Sequence, residues 1–528
     1  MLNKRKIYIF LFIILVLFFT SQFFYFRVQT QSFKFGDESE HLAPGWMMAK
    51  FNTKLYKDIT TNHQPIPIIA SQLIFKTMVF SNLSRLIETV RFLMFMSSIL
   101  GATILVSKFK FVGLISVILV ETIKFWLFGY HLLAESIVLY PVMFIMATIT
   151  ELLLWKNHRH NILDKYEPLL FGLSVFLVGF SLLPCIPFLI ITSVIYLHKT
   201  KYQNKVIMLV TTLALTLLLF LFIDINGWFK YTVVDNIKYF VPYENETRNF
   251  KSYLILLIYP FQSFLNYSVP VAKYYLFLTI MLIVSIIIVL KNSKALTLFI
   301  KVALLYLLVI ILNLRISKID IGFYTAFHVL PQLGAFTILT TLLITFSLEK
   351  SNVVKKQKIF IMILYGILIA IILFFNTAWW REVKNKSVDH FIQYSETESM
   401  SSAFKALKLG NDKLLVGELD GLLNIASDIP IAGAQNAYLE WSYQSAESRQ
   451  KLINLMTKNP PTFIVFPAEG PYFNLIKPYL SSNYTRLQRF DGSITNAYML
   501  NSEIPKRSKN QWREFENALY KLPDGANI

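Results

Sequence analysis

The chain has 528 residues, of which 55% are hydrophobic and 16% charged, and its mean hydropathy is +0.50, which excludes an ordinary soluble globular protein and indicates a polytopic membrane protein. The net charge is +19, yet residues 381–528 hold 17 Lys and Arg against 16 Asp and Glu, so the excess lies in the apolar part of the chain. Such basicity is typical of membrane-orientation signals and gives no reason to expect a nucleic-acid partner.

Apolar runs predict about eleven transmembrane helices, because about 20 residues are needed to cross about 30 Å of hydrocarbon. The runs lie at 7–26, 86–107, 111–129, 134–155, 168–182, 184–198, 206–223, 271–290, 296–313, 326–347 and 359–378. Pro184 and Pro187 interrupt the region 168–198, so its two spans are the least regular. The first run follows Lys4-Arg5-Lys6 without a small-x-small cleavage pattern, which favours a retained anchor over a signal peptide.

The loop charges predict how the chain is oriented in the membrane. With a cytoplasmic amino terminus, the inside loops carry 17 Lys and Arg against 3 Asp and Glu, and the outside loops carry 11 against 9. This bias follows the positive-inside rule. We therefore expect a multi-pass protein of a bacterial plasma membrane, with the first loop, residues 27–66, and the carboxy-terminal part outside.

The first outer loop presents titratable groups directly after the first span. The stretch Gly36-Asp37-Glu38-Ser39-Glu40-His41 holds three carboxylates and an imidazole. Carboxylates at the water–bilayer boundary can act as general bases, although Asp37 with Glu40 also matches a helix-capping pattern. Residues 40–51 have the spacing of an amphipathic interfacial helix, which Pro44-Gly45 is expected to break.

The composition changes after Trp379-Trp380, where apolar runs shorten and charge rises. Short apolar runs at 413–417 and 461–466 predict buried strands, and the segments 444–457 and 472–481 have helical spacing. This alternation indicates a small α/β domain. We therefore predict a transmembrane module, residues 1–380, and an extracytoplasmic domain, residues 381–528.

At these residues the chain resembles the GT-C glycosyltransferases of the protein O-mannosyltransferase and lipid A aminoarabinose transferase type. The resemblance rests on four features of the first loop: Asp37-Glu38, the interfacial helix, Leu55-Tyr56-Lys57-Asp58 and Asn62-His63-Gln64-Pro65-Ile66. Weaker matches are Val90-Arg91-Phe92, a Trp228…Asn236 loop and His328-Val329-Leu330-Pro331. The chain departs from the family at Gln64-Pro65-Ile66-Pro67, where members have Pro-Pro, and at Ser181-Leu182-Leu183-Pro184, where many have Lys.

The resemblance implies a GT-C fold and an integral-membrane hexosyl- or pentosyltransferase that uses a polyprenyl-phosphate sugar. Asp37 would be the general base, and Glu38 would hold the acceptor, its partner or a metal. The expected substrate- and phosphate-binding residues are His63, Arg91, Arg315, His328 and Glu135. The acceptor, whether glycan, lipid or protein, stays open, as does a single divalent ion held by first-loop carboxylates and His63.

Other classes also stay open. Arg315 and Lys318 could anchor a span by snorkelling instead of binding phosphate. A lipid-linked glycan flippase or a non-catalytic glycolipid-binding relative would share the membrane setting, although no inverted repeat is visible. An oligosaccharyltransferase would carry Trp-Trp-Asp-Tyr-Gly, whereas the Trp pair here reads Trp379-Trp380-Arg381-Glu382 at a span exit.

Overall fold

The structure is a computed structural model. It describes residues 4–29, 36–124, 127–155, 163–245, 270–290, 295–312, 326–350, 391–417, 420–491, 493–518 and 520–522. The chain divides into two compact units: unit 1 comprises Met1–Gln29, Arg91–Leu218 and Thr247–Lys386, and unit 2 comprises Thr30–Val90, Leu219–Glu246 and Ser387–Ile528. The domain boundary predicted at residues 380 and 381 lies outside the described residues.

Long apolar helices build unit 1, in agreement with the predicted membrane fold. The helices at the predicted spans are Lys4–Gln29, Leu83–Phe109, Phe111–Lys124, Ala134–Leu154, Glu167–Gly179, Ile186–Lys199, Tyr202–Phe220, Pro270–Leu290, Ala295–Ile311 and Leu330–Lys350. The run 359–378 lies outside the described residues. Within the described part of the chain, five helices are long and apolar enough to cross a membrane, and three shorter apolar helices accompany them. The chain is therefore an integral membrane protein of mostly helical structure.

The prolines near residue 185 separate two helices, as the sequence indicated. The first helix ends at Gly179, a 3-10 turn covers Leu183–Cys185, and the next helix begins at Ile186. Pro187 falls in the first turn of that helix, where its missing N–H needs no helical partner.

The innermost helix of unit 1 is Leu330–Lys350, which is almost completely buried and packs on Ala134–Leu154. Gly334 permits their close approach, because a Cβ there would lie 2.5 Å from Leu139 Cδ1. By contrast, the first helix exposes most of its apolar surface. Lipid contact would account for that exposure.

Unit 2 contains a five-stranded sheet in the order β1-β2-β4-β3-β5. The strands are β1 Leu414–Val416, β2 Phe463–Val465, β3 Tyr484–Arg489, β4 Ile494–Leu500 and β5 Tyr520–Lys521. β1 and β2 pair in parallel, with Leu414 opposite Phe463, and the other pairs are antiparallel. The two strands predicted from the sequence are thus confirmed as β1 and β2.

Helices cover both faces of this sheet, which makes a three-layer α/β arrangement. The alternation of strand side chains sends Leu414 and Phe463 to one face, where they pack with Phe404 and Phe515 from the helices Phe391–Leu407 and Lys509–Asn517. On the other face, Leu415 and Ile464 meet the helices Ala446–Lys458 and Pro471–Asn483. These last two helices confirm the helical segments predicted near 444–457 and 472–481.

Candidate functional site

The acidic stretch of the first loop forms the start of a helix, Gly36–Phe51. Asp37 and Glu38 stand in its first turn, where the partial positive charge of the helix N-terminus favours carboxylates. Asp37 is half-buried and Glu38 is buried. The helix predicted over residues 40–51 is present, but every residue from Glu38 to Met48 is buried, so it lacks the separate polar and apolar faces of an amphipathic helix.

Pro44 does not break this helix, contrary to the prediction from Pro44-Gly45. A proline inside a helix lacks the N–H that would bind the carbonyl four residues earlier. That carbonyl belongs to Glu40, and the side-chain Nδ2 of Asn436 lies 3.4 Å from it. The backbone acceptor that Pro44 leaves without a helical donor therefore has a long contact with another segment of unit 2, which helps the helix continue.

Gly45 brings the next helix, Pro65–Thr77, close to the first-loop helix. A Cβ at Gly45 would lie 2.3 Å from Ser71 Oγ, so no larger residue fits without a shift. The Ser71 hydroxyl donates to the Leu42 carbonyl at 3.1 Å, which adds a hydrogen bond between the two helices. The Pro44-Gly45 pair thus serves helix–helix packing.

Glu40, His41 and His63 form a compact titratable cluster in unit 2. The carboxylate of Glu40 and Nε2 of His63 are paired. The ring of His41 meets that of His63 edge to face, with centroids 4.7 Å apart. His41 is buried, and its Nδ1 has no hydrogen-bond partner among the described residues. Burial, together with the charge of His63, holds the pKa of His41 well below its usual value.

The stretch Leu55-Tyr56-Lys57-Asp58 forms a turn in the first loop. Tyr56 has a positive φ of 67°, a strained conformation for a tyrosine, and its hydroxyl donates to the His63 carbonyl at 2.6 Å. Burial raises the pKa of the Tyr56 phenol well above its usual value, which fits a structural hydroxyl. Gly227 packs against this turn, because a Cβ there would lie 2.3 Å from the Tyr56 carbonyl oxygen.

The Trp228…Asn236 segment contacts the first loop within unit 2. Trp228 Nε1 donates to Gln64 Oε1 at 3.1 Å, and Asn236 Nδ2 donates to the Asn62 carbonyl at 3.1 Å. The backbone from Trp228 onward forms two π-helical segments, Phe229–Val234 and Asn236–Phe240. Such segments are rare in proteins, and those that occur are often found at functional sites. The segment matched to the family therefore helps to position the loop that carries His63.

The structure brings together two of the phosphate-site candidates in unit 1. His328 Nδ1 lies 2.9 Å from Glu135 Oε1, and the His328 side chain is 26% exposed. Arg91 is buried in the helix Leu83–Phe109. Arg315 lies outside the described residues.

A buried polar cluster in unit 1 had no motif that could have predicted it. Glu121 and Lys124 are one helical turn apart, with Nζ and Oε1 separated by 3.2 Å. The hydroxyls of Tyr130 and Tyr140 donate to the two oxygens of Glu121, each at 2.6 Å. Charges inside a membrane are costly unless paired and hydrogen-bonded, so this cluster has the features of a structural ion pair.

Metal ligation by the first loop has limited support in the described residues. No group of three or more His, Cys, Asp or Glu side chains in that part of the chain could hold a metal ion. Glu40 and His63 supply two ligand types, fewer than the three protein ligands of catalytic zinc sites. The described side chains alone do not form a metal centre.

The helices of unit 1 and the small α/β sheet of unit 2 agree with the GT-C type fold that the resemblance implied. Two solved structures share it. ArnT from Cupriavidus metallidurans bound to undecaprenyl phosphate has a TM-score of 0.53 and 10% identity, over 94% of this chain and 98% of that chain. ArnT from Cupriavidus metallidurans in the apo state has a TM-score of 0.50 and 11% identity, over 92% and 97%. No model of a protein family and no curated protein sequence matches the chain.

Proposed function

We propose that this protein is a glycosyltransferase that moves a sugar from a polyprenyl-phosphate donor to an acceptor outside the membrane, with Asp37 as the general base. The observation that carries the proposal is the half-buried carboxylate of Asp37 in the first turn of the first-loop helix. The fold similarity to an ArnT bound to undecaprenyl phosphate supports a lipid-linked donor.

The reaction would be a single displacement at the anomeric carbon of the sugar. The Asp37 carboxylate takes the proton of an acceptor hydroxyl, whose oxygen forms a bond to the anomeric carbon. The bond from that carbon to the phosphate oxygen breaks on the opposite face, and its electron pair leaves with the polyprenyl phosphate. The sugar is therefore transferred with inversion, and Glu38 holds the acceptor beside the base.

Cations would stabilise the charge that develops on the leaving phosphate. We assign this role to Arg91, Arg315, His63 and His328. Glu135 would act on His328 as a positioning residue, since their side chains are 2.9 Å apart. The membrane would be a bacterial plasma membrane, with the amino terminus in the cytoplasm and residues 381–528 outside.

Substitution of Asp37 by Asn tests the proposal. A general base contributes about 10²–10⁴-fold, so we expect Asp37→Asn to lose at least about 10²-fold in sugar transfer from a radiolabelled polyprenyl-phosphate donor. The matched control is Asp58→Asn, since Asp58 is an exposed carboxylate of the same loop and accepts from the Lys54 N–H at 2.8 Å. Near-normal transfer by a folded Asp37→Asn variant would rule out this base.

A further inference from the structure

A groove in unit 2 lies beside the first-loop helix, and none of the residues proposed above as catalytic or phosphate-binding lines it. The space within its lining is about 580 Å³ when the adjoining open solvent is included. Three segments line it: residues 60–62 with Glu40, residues 231–239, and residues 435–451 of the α/β layers. Thr60 ties two of these segments together, because its N–H donates to the Ala434 carbonyl at 2.5 Å and its carbonyl accepts from the Asn436 N–H at 3.1 Å.

Aromatic rings form part of the lining. Tyr231, Tyr239 and Trp441 are each partly exposed at the groove. Trp441 packs edge to face on Phe240, with centroids 5.6 Å apart, which limits the orientations of the indole. Aromatic faces offer large, rigid apolar surfaces, against which the C–H faces of pyranose rings can pack.

Amides and hydroxyls make up most of the remaining lining. Asn62, Gln435 and Asn436 each present both donors and acceptors, which suits sugar hydroxyls that also do both. Asn436 Oδ1 is buried and has no hydrogen-bond partner among the described residues. A buried acceptor without a partner is unfavourable, and a hydrogen bond from a ligand hydroxyl would offset that cost.

The charges of the groove disfavour an anionic ligand. The lining has three carboxylates, those of Glu40, Asp235 and Glu447, against the single ammonium of Lys451. Lys451 Nζ lies 3.0 Å from a carboxylate oxygen of Glu447. The neighbouring Lys230 is also paired with Glu447. The carboxylates of the groove would therefore repel a phosphate-rich polymer, and the lysine that lines it is already paired. A neutral or amino-bearing glycan would not be repelled.

Helix geometry relates the groove to the proposed base. Glu40 follows Asp37 by three residues in the same helix, which corresponds to about 4.5 Å along the axis and to neighbouring positions on its surface. A chain of sugars in the groove would thus end within about one turn of the Asp37 carboxylate.

We propose that this groove binds the acceptor, and that the acceptor is a neutral or amino-bearing glycan that stacks on Trp441 and Tyr239 and hydrogen-bonds Asn436. The role of the glycan as acceptor rests on the proposed function, whereas the binding of a glycan in the groove does not.

Binding of oligosaccharides to the full-length protein in lipid nanodiscs tests the inference without any sugar transfer. The probes are chitotetraose, its partly deacetylated form, maltotetraose, mannotetraose and an anionic glycerol-phosphate hexamer. We expect at least one neutral or amino-bearing probe to bind, and Trp441→Ala and Tyr239→Ala each to weaken it about 10-fold or more. Phe490→Ala is the matched control, because Phe490 is an exposed aromatic of unit 2 that does not line the groove, and it should bind normally.

Three results would overturn the inference: no binding of any sugar probe, equal binding by both groove variants and wild type, or preference for the glycerol-phosphate hexamer. Thermal unfolding of each variant distinguishes a loss of binding from a loss of folding. Because two groove variants are measured, the test remains possible if one of them does not fold. If Asp37→Asn loses sugar transfer but the wild-type protein binds none of the glycan probes, the proposed function stands and only this inference is wrong.

Discussion

Glu40 uses its backbone and its side chain for different partners. Its carbonyl oxygen lies 3.4 Å from Asn436 Nδ2, in place of the N–H that Pro44 lacks, and its carboxylate pairs with His63. Both contacts fix the start of the first-loop helix, which carries Asp37. The proposed base, Asp37, must be held in place to be efficient, and Glu40 supplies part of that positioning in unit 2.

The buried imidazole of His41 predicts a pH dependence of stability. Its pKa in the folded protein lies well below 6.5, so the unfolded chain binds more protons as pH falls through about 6.5 and stability drops there, by at most about 1.4 kcal/mol per pH unit. His41→Phe removes this proton uptake, so we expect its apparent melting temperature to fall less than that of wild type between pH 7.5 and 5.5. His198→Gln, at an exposed histidine, is the matched control. Equal slopes for wild type and His41→Phe would contradict the assignment.

Sequence reasoning identified the acidic cluster but not its contacts. Glu40 and His63 are 23 positions apart, and Asn436 is 396 positions from Glu40, so their meeting depends on tertiary packing. The mistaken break at Pro44 has the same origin. Local propensity gives the cost of a proline inside a helix, whereas a contact with a distant amide is visible only in the fold.

At the level of elements, the sheet of unit 2 was only partly predictable. β1 and β2 are short apolar runs and were found, whereas β3, Tyr484–Arg489, is polar and only two of its residues are buried. β5 has two residues, too few for any period. The membrane helices were predictable because a long apolar run needs no tertiary information.

A buried ion pair joins Arg507 to Asp412, which lies next to β1. Arg507 Nη2 lies 2.7 and 2.6 Å from the two carboxylate oxygens of Asp412, next to β1, and both side chains are almost completely buried. Arg507 Nε also donates to the Leu407 carbonyl at 2.9 Å. Removing one partner leaves the other charge buried and unpaired, which is strongly destabilising.

We therefore expect Arg507→Ala to destabilise the sheet of unit 2 by about 3–5 kcal/mol. Hydrogen exchange of the β1 and β2 amides in the full-length protein measures this as faster opening. Arg513→Ala, at an exposed arginine of the helix Lys509–Asn517, should change exchange by less than about 0.5 kcal/mol. Unchanged protection in Arg507→Ala would show that the pair is energetically neutral.

At the scale of the whole molecule, the loop charges predict that the first loop and the carboxy-terminal part lie on the same, outer side. In a Cys185→Ser background, single cysteines at the exposed positions Lys57 and Ser502 should react with a membrane-impermeant maleimide added outside intact cells. A cysteine at exposed Lys201 should react only after the cells are opened. Protection of either outer position would mean that the number of spans before it is wrong by one.

The proposed function requires that the chain cleave a sugar–phosphate bond instead of moving an intact glycolipid. The most direct measurement is the amount of polyprenyl phosphate released per sugar transferred by purified protein in nanodiscs, with undecaprenyl-phosphate sugars as donors and envelope material from cells lacking the gene as acceptor. We predict one polyprenyl phosphate released per sugar transferred, inversion at the anomeric carbon and no transfer from nucleotide sugars. Movement of the donor across the bilayer with its sugar–phosphate bond intact, and no release, would contradict the account.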